Sequence, residues 1–130
     1  MLSTAEVKKI TLADIIARKE QIKEGRNKTA KIFVKSLDGY IVAEKPDRTL
    51  IADSLDFENG VESNIHLAYN CIIEPNLKDK EAQEAFGVHT PKEFLQAILS
   101  DGEISFIAEK LIELAGYKKD NIRLIEDIKN

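Results

Sequence analysis

Cysteine occurs once in the 130 residues of this chain. One thiol cannot close an internal disulfide, so burial has to hold the fold together, and a reducing compartment is the simpler expectation. The two histidines, His66 and His89, form no H-x-x-x-H pair, and there is no C-x-x-C, so the usual zinc patterns are missing. Glycine is scarce as well. Its six copies all fall at expected turns or helix ends, and none belongs to G-x-x-x-x-G-K-[ST], G-x-G-x-x-G or G-x-S-x-G. Phosphate-cradling loops and nucleophile elbows are thereby excluded. No apolar run approaches the roughly 18 residues that span a bilayer. The opening "MLSTAEVKKITLADIIARKE" turns charged too soon for a secretion signal. A cytoplasmic protein without cofactor, metal or membrane is expected.

The chain is long enough for one domain, residues 1–130, with segments 1–10 and 117–130 read as flexible ends. Hydrophobic residues at 43% and charged residues at 32% suit a globular body with an ionic surface. The net charge of −4 is unevenly spread. Residues 1–35 hold nine Lys/Arg against four Asp/Glu, and residues 36–130 hold ten against nineteen. Such polarity allows nucleic acid to meet the basic end, or copies to meet end to end as a homo-oligomer. Against nucleic acid, the basic segment has no aromatic residue to stack on bases before Phe33, and the isoelectric point near 5.3 has the wrong sign. A solvated basic helix ahead of an acidic body is the plainer reading.

Periodicity predicts an α+β fold, mostly helical: an N-terminal helix, one antiparallel β-hairpin, and a C-terminal helical bundle. Thr11 and Asp14 make a capping box, followed by Leu12, Ile15, Ile16 and Ile22 at helical spacing, with Gly25 as the stop. "KIFVKSLDGYIVAEK" reads as two strands about a two-residue type I′ turn at Asp38-Gly39, which pairs Leu37 with Tyr40, Lys35 with Val42 and Phe33 with Glu44. Its other face, Ile32, Val34, Ile41 and Ala43, is apolar and needs a cover. Residues 48–54 fit a short helix, with a third strand as the alternative. "VESNIHLAYNCII" is a helix stopped by Pro75, and Lys78 to Phe86 is a short helix ended by Gly87. Thr90-Pro91-Lys92-Glu93 is a strong start signal. Phe94, Leu95, Ile98 and Leu99 follow as its stripe, then Ile104, Ile107, Ala108, Leu111, Ile112 and Ala115 on a longer helix ended by Gly116. The tail adds a final strand or helix, or waits for a partner.

Chemistry finds little purchase. His66 lies five residues before Cys71, about 140° round a helix, so the two share no face, and Cys71 falls on the apolar side. "DSLDFENG" is acidic, but setting Gly60 at the sixth position of a calcium loop puts Leu55 where a ligand is required. The many carboxylates sit at exposed helical positions with no setting that raises a pKa. An enzyme is not expected.

"CIIEPNLKDKEAQEAFG", "FLQAILSDGEISFIAEKLIELAGY" and the closing "IKN" together resemble the XkdN-like family of phage tail assembly chaperones. The resemblance rests on Cys71, Glu74, Pro75, Leu77, Glu81, Gln83, Phe86, Gly87, Leu99, Gly102, Glu103 and Gly116. The chain departs from the family pattern at Phe86, Ala82 and Ser100-Asp101, where Tyr, Leu and Leu-Pro are usual. The resemblance implies a non-catalytic protein of the bacterial host cytoplasm. Its partners would be the tape-measure and tail-tube proteins of a phage or prophage, bound while the tail is built. The residues expected to bind them are Leu77, Phe86, Phe94, Phe106, Ile122, Leu124 and Ile128, with ordinary core packing as the alternative for each. The rival functions are a structural tail or connector subunit and a small nucleic-acid-binding regulator.

Overall fold

The computed structural model describes residues 2–3 and 7–126. The fold is α+β and mostly helical, as the residue pattern predicts. A two-residue strand β1 (Leu2–Ser3) is followed by helices α1 (Leu12–Ala17) and α2 (Lys19–Glu24), then by the hairpin β2 (Thr29–Val34) and β3 (Gly39–Glu44). Helices α3 (Arg48–Leu55) and α4 (Gly60–Cys71) lead into a short strand, β4 (Ile72–Glu74). Helices α5 (Lys80–Ala85), α6 (Pro91–Ile98) and α7 (Asp101–Leu114) follow, and β5 (Ile125–Glu126) closes the described chain. β2, β3 and β4 form one antiparallel sheet in that order, and β1 pairs in parallel with β5.

Local signals set the helix starts. The Thr11 hydroxyl oxygen accepts a hydrogen bond from the Asp14 amide at 3.2 Å, and the Asp14 carboxylate accepts one from the Thr11 amide at 2.9 Å. Ser100 and Glu103 close the same reciprocal box at the head of α7, so Ser100, a residue outside the sequence signal, is the true cap. Thr90 caps α6 with Pro91 at its first position. Asp47, Asn59 and Asp79 cap α3, α4 and α5. Gly87 and Gly116 take φ of 67° and 99°, the left-handed turn that lets α5 and α7 end where they do.

Three expectations need correction. The leading helix is broken at Arg18 (φ −101°, ψ 13°) into two six-residue pieces. The hairpin pairs Phe33 with Tyr40 and Thr29 with Glu44, a register four residues from the expected one. Only Asp38 takes a positive φ, closing a short 3₁₀ turn over Lys35–Leu37, so the loop is longer than a type I′ turn. A shift by an even number preserves the faces, and Val34, Ile41 and Ala43 are indeed buried. Last, the helix expected through Ile73 stops two residues early, at Cys71, and a third strand lies at Ile72–Glu74, while residues 48–54 form the expected helix and not the alternative strand. The residue before a proline is driven out of the helical region, and β3 offers Glu74 and its neighbours a pairing edge.

One core joins these layers. Ile65, Leu67, Ala68 and Cys71 of α4 and Leu95 of α6 meet Ile104, Ile107, Ala108 and Leu111 of α7 under the covered face of the sheet. A polar contact crosses the α4–α7 seam, where Asn64 Nδ2 donates to Ser105 Oγ at 3.1 Å. The hairpin is tied to the head of α7 by a hydrogen bond from the Ser36 hydroxyl to the Glu103 carboxylate.

Candidate functional site

Cys71 is buried, and it borders a cavity of about 200 Å³ lined by Arg26, Asn27, Lys28, Glu44, Lys45, Pro46, Asp47 and Leu50. Burial, reinforced by the charges of Glu44 and Asp47, pushes its thiol up to about 12. Nucleophilic chemistry needs a thiolate, so this sulfur is a core atom. No histidine lines the cavity. His66 lies instead between aromatic rings, 4.9 Å from Phe57 and 5.7 Å from Tyr69 by centroids. Among the described residues no group of three or more His, Cys, Asp or Glu side chains is arranged to hold a metal ion, and no helix is long and apolar enough to cross a membrane.

The segment between Cys71 and Gly87 is a joint. The buried side chain of Gln83 reaches back from α5, and its Nε2 donates to the Leu77 carbonyl oxygen at 2.7 Å. Leu77 is drawn into the core beneath that bond. Asn76 accepts from the Lys78 amide at 3.1 Å and turns the chain into α5.

The structure divides the expected contact residues. Leu77 and Phe94 are buried core side chains, the alternative reading given for each. An apolar residue two positions past a proline, or inside a helical stripe, reads alike whether it faces in or out, and here packing claims both. Phe86, Phe106, Ile122 and Leu124 are exposed, by 54%, 69%, 85% and 81%. Phe86 rests against Phe94, with ring centroids 5.3 Å apart. Ile128 lies outside the described residues.

A larger apolar surface went unselected in the sequence. Neither α1 nor α2 buries a residue, and Leu12, Ile15, Ile16 and Ile22 are all exposed, Leu12 by 79% and Ile16 by 70%. Leu12, Ile15 and Ile16 stand at i, i+3 and i+4, on one face of α1. Val7 and Ile10 extend this apolar content ahead of it, and Arg18, Lys19 and Lys23 flank it. The signal was there in the helical spacing, but amphipathic spacing alone does not say which helix finds a cover.

Comparison with known proteins decides the class. A family model described as "Phage XkdN-like tail assembly chaperone protein, TAC" matches residues 5–129, nearly the whole chain. This chain belongs to the XkdN-like phage tail assembly chaperones. The fold is also similar to the crystal structure of the protein yqbn. That likeness has a TM-score of 0.53 at 18% identity, over 71% of this chain and 87% of that one. No protein of curated function matches the chain.

The residues that carried the resemblance to this chaperone family serve the joint and the helix ends. Cys71, Leu77, Gln83 and Leu99 are buried, Gly87 and Gly116 terminate helices, and Glu103 completes the α7 cap. The family pattern is thus a packing pattern in this chaperone, and the exposed apolar residues lie mostly outside it.

Proposed function

We propose that this tail assembly chaperone acts without catalysis in the host cytoplasm, holding the tape-measure protein and meeting the tail-tube protein while the tail is built. The observation that carries the reading is the uncovered apolar face of α1, together with the exposed Ile22 of α2. Helices of six residues are marginal alone, because nucleation costs more than so few hydrogen bonds return. Such a segment gains stability by laying its aliphatic side chains on another polypeptide, as in helix-in-groove recognition. A long helical client presents a complementary stripe, and covering it keeps the client from aggregating. Phe86, Phe106, Ile122 and Leu124 are proposed as further contacts, spread over the body so that many modest contacts replace one deep pocket.

Co-expression with the tape-measure protein encoded in the same phage or prophage tests this. The client is expected to co-purify with the tagged chaperone, and the tail-tube protein to join them. A client that elutes alone would overturn the reading.

A further inference from the structure

The sheet order leaves β2 at an edge, with one side of Thr29–Val34 unpaired among the described residues. Lys45 N–H donates to the Lys28 carbonyl oxygen at 2.8 Å, which fixes the phase of the ladder. Ala30, Ile32 and Val34 therefore occupy the positions that exchange hydrogen bonds with β3, and the backbone N–H and C=O of Thr29, Lys31 and Phe33 point away from it. Beside that free edge runs an open groove of about 580 Å³, walled on its far side by the C-terminal half of α7. Ala30, Ile32, Phe33 and Leu114 supply its apolar part. Lys28, Lys31, Lys110 and Lys118 outnumber Glu113 around it, and only Lys110 is paired with that carboxylate, at 3.7 Å. Among the described residues, Lys28, Lys31 and Lys118 have no carboxylate within 4.0 Å.

We infer that this edge takes an extended, acidic segment of a partner protein as a fourth strand of the sheet. Three outward-facing backbone units give main-chain pairing, the groove receives alternate side chains, and the ammonium groups of Lys28 and Lys118 select carboxylates, with Lys31, 5.1 Å over the Tyr40 ring, adding its charge to the same edge. A second copy of the chain is the wrong occupant, because antiparallel pairing of β2 with itself about Lys31 would set that ammonium against its own copy and double the basic charge along the edge. This edge is separate from the apolar face of α1, so the inference does not depend on the client proposed above.

The test uses the full chain and two synthetic peptides, one alternating valine with glutamate and one alternating valine with lysine. Backbone hydrogen exchange is read by NMR. The glutamate peptide is expected to slow exchange at Thr29, Lys31 and Phe33, and the lysine peptide to leave them unchanged. Combined Lys28→Glu, Lys31→Glu and Lys118→Glu is expected to weaken the glutamate peptide about tenfold and to transfer preference to the lysine peptide. Lys31→Pro removes one outward donor and should reduce binding, while protected Ile32 and Ile41 amides report an intact hairpin. Equal protection by both peptides, or by neither, would overturn the inference. So would protection of the same amides that grows with protein concentration when no peptide is present, because a second copy would then close the edge.

Discussion

The Gln83 side chain, 1% exposed, donates to the Leu77 carbonyl oxygen, and this bond decides how the middle of the chain turns. A buried carbonyl without a donor costs more than an average hydrogen bond contributes, since the lost solvation is not returned. Gln83→Leu keeps the volume and removes the donor. It is expected to destabilise the fold by about 1–3 kcal/mol, seen as a lower urea midpoint with the slope unchanged. An unaltered midpoint would mean that Leu77 finds another donor.

That bond also marks where sequence reading runs out. Helix starts were legible because a cap is a local device: Thr11 with Asp14, or Thr90 with Pro91 and Glu93, carries its own partners within one turn. The faces of the hairpin were legible because alternation survives an even change of register. Its turn was not, since Asp-Gly suits several loops and the closing geometry depends on Lys35–Leu37 folding into a 3₁₀ turn. The strand at Ile72–Glu74 continues the apolar content of α4, and only pairing with β3 makes it extended. Leu77 and Phe94 were read as contacts or as core, and the core holds both through neighbours distant in sequence.

The Ser36–Glu103 contact gives a pH dependence of known sign. The Ser36 hydroxyl, and after it the Ser100 amide and hydroxyl, hold the Glu103 carboxyl below its ordinary 4.5. A carboxylate lowered in the folded state adds stability that is complete above 4.5 and is lost as pH falls through the folded value. Ser36→Ala removes the largest cause, so the Glu103 titration followed by carboxyl NMR shifts is expected to move up toward 4.5. Identical titrations in both proteins would contradict the contact.

Cys71 supplies a test of the core. With its thiol pushed up to about 12 and the side chain buried, the native protein is expected to resist an aromatic disulfide reagent at pH 8 and to react fully once unfolded in urea. Fast reaction of the native protein would place the sulfur in an open site.

Packing at the α4–α7 seam is expected to dominate stability. Leu111→Ala empties a fully buried position and should cost about 2–5 kcal/mol in denaturant unfolding. A cost below that range would show the bundle collapsing around the gap.

The most direct measurement compares the soluble fraction of the tape-measure protein when it is co-expressed with the natural chaperone and with its Leu12→Asp, Ile16→Asp variant. Both positions are exposed, so the variant should unfold within about 0.5 kcal/mol of the natural chain. The account predicts a folded variant that leaves its client insoluble. A folded variant that keeps the client as soluble as the natural chaperone does would contradict it.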